Sequence, residues 1–334
     1  MKDNVHAFVD IGRRRLLQAA GAAGLLGSLP LKAALAKDAW PASPINYVVP
    51  FAPGGLTDVA ARLVAKTLGT DRGWDLIVQN KPGGNANIGA AYVARARSDG
   101  YTWLAITMTH AANATLFRDS GYDLLKDLAP LAGLASSPMM VVVNAKSPIK
   151  TMADLLKAAK GGHLTAGSSG NGTPPHLTLA LYQKLTGAKF THIPYTGGSP
   201  SLTDLIGGQI DVVFSNYPES LPHVKSGALR ALAITTHQRS PDVPDVPTVA
   251  EIGMPDLIVE NFTGVMVPAG VPADIVQHAG AAIVAEMSKP QMQRDMVRLG
   301  FIPQPRGPAE FGKYLKSEVL RWRKVIQESG IHIS

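Results

Sequence analysis

Residues 45–68 read INYVVPFAPGGLTDVAARLVAKTL, and their order decides the fold. Ile45–Pro50 is a short β-branched and aromatic run of the kind a buried strand uses. Pro53, Gly54 and Gly55 interrupt it. From Asp58 to Leu68 the apolar residues recur at helical spacing. The same alternation continues downstream. Leu76–Val78 reads as a strand, followed by a loop at Lys81–Asn87, a helix through Arg97 and a third strand at Thr102–Thr107. Met139–Asn144, Leu164–Gly167, Phe190–Pro194, Ile210–Ser215 and Ala228–Thr235 read as further strands with helices between them. Thr151 starts one of those helices, through Lys160, with Asp154 at the capping-box position. Strands alternating with helices of about ten residues predict βαβ units and mostly parallel sheets. From Pro272 onward the chain reads as helical, over Asp274–Lys289, Gln291–Leu299 and Pro308–Glu328, whereas the proline-rich Ser240–Val249 must be an extended surface loop.

A chain of 334 residues, 46% hydrophobic and 17% charged, has ample material for two α/β lobes and is neither disordered nor coiled-coil. It contains no cysteine, which removes disulfides, thiolate nucleophiles and thiolate metal sites. The net charge is +7, but Lys2, Arg13, Arg14, Arg15 and Lys32, against Asp3 and Asp10, place much of it before residue 37. The remaining Lys and Arg are dispersed with no aromatic-spaced basic stripe, so no nucleic-acid partner is expected.

The N-terminus has the layout of an export signal. Arg13-Arg14-Arg15-Leu16-Leu17 is followed by an apolar or small stretch through Leu31 and then by Ala34-Leu35-Ala36. Basic n-region, apolar h-region and small-residue cleavage site predict a signal peptide over residues 1–36, removed after Ala36. The paired arginines before x-Leu-Leu resemble a twin-arginine signal. No later segment is long and apolar enough to span a bilayer, so the exported protein is expected to be soluble and periplasmic.

Two segments share one design of strand, glycine-rich turn and helix start: Val48–Asp58 and Thr165–His176. In the second, Thr173 stands at the N-cap and Pro174 at the first helical position. Helix N-termini present unpaired N–H groups and a positive dipole end, so both loops suit an anion. Gly83–Gly89 and Tyr195–Ser199 add two more loops at the carboxyl ends of strands, where open α/β sheets bind ligands. Enzyme signatures are missing: no Walker-type loop, no G-x-G-x-x-G, no G-x-S-x-G elbow and no H-E-x-x-H occur. No metal and no cofactor are therefore expected. His176, beside Ser168 and Ser169, could serve as a base for either serine, bond a ligand or simply pack. Asp58 could meet a ligand's amino group or compensate the helix dipole.

VPFAPGGLTDVAARLVAKTL, NKPGGNANIGA and GYDLLKDLAPLAGLASSPMMVVVNAKSP resemble the solute receptors of tripartite tricarboxylate transporters, the Bug family. So do the run from Gly167 to Thr236 and the PDVPTVAEIG loop, and the resemblance covers nearly all of residues 45–334. It implies a type II periplasmic binding protein, α/β, with two lobes joined by two crossover strands near Ser137–Val142 and Asn261–Val267 and a ligand closed between them. Lobe 1 would comprise 37–137 and 260–334, and lobe 2 138–259. The implied ligand is a small mono-, di- or tricarboxylate, and the implied partners are membrane permease subunits, with the receptor working as a monomer. Carried over residue by residue, the resemblance implies contacts from Phe51, Gly55, Thr57 and Asp58, from Asn87, and from Thr107 and His110. From the other lobe it implies Ser168, Ser169, Gly172, Thr173, His176, Tyr195 and Asn216. Asn216 stands where such receptors often have Asp, which would favour anionic over amino-bearing ligands. Asn85 competes with Asn87 for the role in the second loop. The alternatives are a sensor module for a histidine kinase and a periplasmic hydrolase using Ser168 or Ser169 with His176.

Overall fold

A computed structural model describes residues 40–329. The expected signal segment over 1–36 and the ends of the expected first lobe, 37–39 and 330–334, lie outside the described residues.

The quoted stretch folds as β1 (Ile45–Val49) and α1 (Leu56–Arg72). There follow β2 (Leu76–Asn80), α2 (Asn87–Ala94), β3 (Thr102–Thr107), α3 (Met108–Leu116) and the 17-residue β4 (Leu128–Asn144). Next come α4 (Met152–Ala159), β5 (Thr165–Ser168), α5 (Pro174–Thr186), β6 (Thr191–Pro194), α6 (Gly198–Ile206), β7 (Val212–Asn216), α7 (Tyr217–Lys225) and β8 (Leu229–Ile234). The chain ends with β9 (Glu260–Pro268), α8 (Ala273–Met287), α9 (Pro290–Arg298), β10 (Ile302–Arg306) and α10 (Pro308–Ser329). Thr151 and Asp154 form the expected capping box on α4.

The strands pair in the order β2-β1-β3-β9-β4-β7-β5-β6, with β8 and β10 also on β4. Pairing is parallel at β1–β2, β1–β3, β5–β6 and β5–β7, but antiparallel wherever β4 or β9 takes part. The mostly parallel expectation is thus corrected to a mixed architecture. The βαβ units are parallel as their helices require, while β4 and β9 run back through the molecule against them. The two strands pair from Leu128↔Pro268 to Pro138↔Glu260. At Met139 the partner of β4 changes to β7 and β8. Pro138 has no N–H to donate, so the change of partner falls where the ladder is already interrupted.

Packing explains why the first half of β4 forms from LAPLAGLASSP, which lacks β-branched residues. Gly133 faces Gly264 across the β4–β9 pair, and the Phe311 ring of α10 rests on both: a Cβ at Gly133 would stand 2.9 Å from it and one at Gly264 would overlap it. Small residues here let a helix seat directly on the sheet. Phe311, Leu315, Val319 and Trp322 of α10 join Val48, Leu104, Ile106, Phe262 and Met266 in one core. The segment 139–259 has two cores, one on each sheet face. Val141, Val143, Leu155, Tyr182 and Phe214 lie on one, and Met140, Val142, Leu202, Leu205 and Tyr217 on the other.

Candidate ligand-binding cleft

The starts of five helices, α1, α3, α5, α6 and α7, meet in one cleft. Its lining takes Phe51, Ala52, Pro53, Gly55, Leu56 and Thr57 from the β1–α1 turn, and Thr107 and Thr109 from the end of β3 and start of α3. Opposite are Ser169, Pro174, Gly197, Gly198, Ser199 and Pro200. Asn216, Glu219 and Asn261 complete it. The free space is about 30 Å³, room for one or two waters and no more. A second, open groove of about 670 Å³ continues past Phe51, Ala52 and Ser169 to Pro82–Ala86, Asn171 and Tyr195.

Of the expected contacts, Phe51, Gly55, Thr57, Thr107, Ser169 and Asn216 come together on the cleft. Tyr195 lines the outer groove, where its hydroxyl donates to Asp204 Oδ2 at 2.7 Å. The other seven are engaged elsewhere. Asp58 is buried and accepts from Arg62 Nε at 2.9 Å, Asn80 Nδ2 at 2.9 Å and Gly54 N at 3.0 Å. Burial would raise its pKa, but these three donors together hold its carboxyl below the usual range. It secures the turn that carries Gly55. Asn87 Oδ1 accepts from Asn113 Nδ2 at 2.8 Å, and Asn85 Nδ2 donates to Asn113 Oδ1 at 2.8 Å. Both candidates in that loop are therefore tied to one buried asparagine. Gly83, Gly84, Asn85 and Ala86 all have positive φ, so the side-chain ties hold a strained turn.

His110 is fully buried inside the capping box of α3, where Thr107 N donates to its Nδ1 at 3.1 Å. Burial lowers its pKa to about 4, so the ring is neutral, edge-on to Phe51 at 6.3 Å. Ser168 Oγ is 2.6 Å from His192 Nε2, not from His176. His176 Nδ1 accepts instead from Gly172 N at 2.9 Å, and its ring stacks on His192. The arrangement gives neither serine the His176 base that a hydrolase would need. Thr173 Oγ1 donates to Gly170 O at 2.6 Å rather than capping α5. Pro174 and Pro175 contribute no N–H to that helix start. The Thr165–His176 turn is thus largely self-satisfied, and the open helix starts are α1 and α6.

Sequence reasoning missed Thr109 and Glu219, in the first turns of α3 and α7, and Asn261, near the start of β9, none of which stands in a glycine-rich turn. Asn261 Oδ1 accepts from Met108 N at 3.2 Å, and Asn261 Nδ2 donates to Asn216 Oδ1 at 2.9 Å. Glu219 Oε1 accepts from Leu56 N at 2.8 Å, joining α7 to the start of α1. Thr109 Oγ1 and Glu219 Oε2 are buried with no hydrogen-bond partner among the described residues. Burial pushes the Glu219 carboxyl up, while Leu56 N–H and the Asn216 amide hold it down in part. A carboxyl group absent at Asn216 is thus present one turn later, at Glu219, where burial disfavours its charged form. No group of three or more His, Asp or Glu among the described residues could hold a metal ion.

Over 304 residues the chain is 33% identical to protein BugT of Bordetella pertussis, covering 90% of this chain and 93% of that one. A solved structure of Rhodopseudomonas palustris Rpa4515 with adipate is similar at a TM-score of 0.84 and 33% identity, covering 88% and 99% of the two chains. MatC from the same organism, with bound malate, is similar at 0.81 and 29%, covering 86% and 100%. These neighbours share the mixed α/β fold with two lobes. Residues 60–331 match the family described as "Tripartite tricarboxylate transporter family receptor". The chain belongs to this family of solute-binding receptors, and is not an enzyme.

Proposed function

We propose that the protein captures a small carboxylate in the cleft between residues 37–137 with 260–334 and residues 138–259, and delivers it to the permease subunits of a tripartite tricarboxylate-type transporter. The observation that carries this reading is the convergence of the α1 and α6 N-termini on one cleft lined by Thr57, Thr107, Thr109, Ser169 and Asn216, with no Lys or Arg. Backbone N–H groups, hydroxyls and amides are the donors that suit a carboxylate, and the helix starts add a favourable dipole. Hydrogen bonds to a charged group are worth about 1.5–3 kcal/mol each, so three or four give micromolar affinity, roughly −8 kcal/mol. The adipate and malate bound by the two relatives support a carboxylate here.

The protein works in the periplasm, exported by the twin-arginine-like segment and released by cleavage after Ala36. It works there as a monomer. A thermal-shift screen of mono-, di- and tricarboxylates tests the reading. A ligand at one hundred times its Kd adds about 2.7 kcal/mol of stability. Failure of every carboxylate to raise the melting temperature overturns it.

A further inference from the structure

We propose that Glu219 is a specificity-determining, ligand-contacting residue that meets the captured anion as a carboxylic acid. Its Oε1 stays on Leu56 N–H, and its Oε2–H is donated to a carboxylate oxygen of the ligand. The inference rests on the carboxylate reading above and names the group that completes its site.

Three observations carry it. First, the carboxyl is built into the cleft rather than lying over it. Oε1 is fixed at 2.8 Å from Leu56 N, and the loops around the group are glycine where it needs space. A Cβ at Gly55 would stand 3.2 Å from Oε1, and one at Gly198 would overlap the carboxyl group. Second, Glu219 lines the cleft, and its Oε2 is buried without a hydrogen bond among the described residues, the nearby Asn216 amide influencing the carboxyl without completing one. A buried polar atom without a partner costs free energy that a ligand group can recover. Third, no cation lines the cleft, and Glu219 is its one titratable lining residue. An ionised Glu219 beside a ligand carboxylate would put two like charges in a space without a counter-charge. A single proton shared between them removes the conflict, as in paired carboxylates generally.

The surrounding charges do not alter this. On α1, Asp58 is neutralised by Arg62, and on α6, Asp204 accepts from Tyr195. Above β3, His110 is buried and neutral. On α7 itself, His223 and Lys225 stand in the last turn, and Tyr217 bonds Ser240. None of these lines the cleft. Burial raises the Glu219 pKa before any ligand arrives, but the carboxyl must still be largely ionised there between pH 6.5 and 9 for capture to take up a proton. A ligand anion favours the protonated form further, so the proton is taken from solvent on capture and returned on release.

The test is calorimetric titration of the full mature chain with malate, adipate and the strongest thermal-shift hit, from about pH 6.5 to 9, where ordinary carboxylates stay ionised. Capture is expected to take up to about one proton, read from heats in two buffers of different ionisation enthalpy. Affinity should then fall by up to about tenfold per pH unit towards the alkaline end. Glu219→Gln keeps an acceptor for Leu56 N–H and a permanent donor for the ligand. It should bind at alkaline pH at least as tightly as the wild type, with a flat pH profile and no proton uptake. A flat wild-type profile without proton uptake overturns the inference whether or not the variant folds. So does selective binding of ammonium-bearing carboxylates such as aspartate over succinate with loss in Glu219→Gln, because Glu219 would then act as an ionised acceptor. If no carboxylate binds either protein, the receptor reading itself fails and this inference with it.

Discussion

The imidazoles of His176 and His192 lie face to face, 4.0 Å between centroids and 1° from parallel. Two protonated rings cannot hold that contact, and each is already tied to the Ser168–Thr173 turn, through Gly172 N and Ser168 Oγ. Burial lowers both pKa values to about 4, with His192 lowering His176 further. The unfolded chain, with histidines near 6.5, binds protons in this window that the folded chain refuses. Stability contributed by the pair is therefore complete above about pH 6.5 and is lost as pH falls towards 4.

Urea denaturation between pH 7 and 5 should show this as a falling midpoint. Both rings are partly exposed, so screening reduces the pair's contribution to roughly 1–3 kcal/mol. Replacing both by Gln should flatten the slope but not abolish it, because buried His110 titrates in the same sense. An unchanged slope in the double variant would place the acid sensitivity elsewhere.

Asn261→Ala should cost about 1–3 kcal/mol, because Met108 N–H is left buried without its acceptor. The variant also frees Asn216, whose Oδ1 is held by Asn261 Nδ2. Ligand affinity should consequently fall more than stability alone accounts for. Equal affinity in a folded Asn261→Ala would show that the asparagine pair is only structural.

Much of the fold was legible because its signals are local. Strand β1, the glycine turn and α1 follow one another within residues 45–72 with matched periodicity, and the Thr151–Asp154 box names its own helix start. What stayed hidden depends on partners far away in sequence. Leu128–Pro138 is a strand because β9 and β10 flank it, not because Ala, Gly, Ser and Pro favour one. Ile302–Arg306, with two prolines, is a strand on the edge for the same reason. In the cleft, turn chemistry pointed to Gly55 and Ser169, whereas Glu219 and Asn261 are placed by tertiary packing. The Gly172 turn misled because its donors are spent internally: Gly172, with φ +70° and a buried environment, gives its N–H to His176.

Capture should narrow the molecule. A cleft with about 30 Å³ of free space admits a dicarboxylate only if its walls part, and Pro138, where β4 changes partners, is the natural place for the motion. Small-angle scattering of the free protein should therefore reveal an open population with a larger radius of gyration than the saturated complex. Identical curves would mean that the closed form predominates without ligand.

Gly198→Ala isolates the space that Glu219 needs. The new Cβ would overlap the carboxyl group, and α6 is held against β7 by Leu202 and Leu205, so the side chain of Glu219 must yield. Its hydrogen bond from Leu56 N would then be lost. Binding of the strongest carboxylate should weaken by roughly 10–100-fold, corresponding to about 1.4–2.8 kcal/mol. In a Glu219→Ala background the same Gly198→Ala change should be nearly neutral, because the clash has been removed. The double-mutant cycle thus predicts strong coupling between two residues that touch, against the additivity of distant sites. Additive effects on affinity would show that Gly198→Ala acts by distorting the α6 start, and that the Glu219 carboxyl does not occupy the position on which the cleft depends.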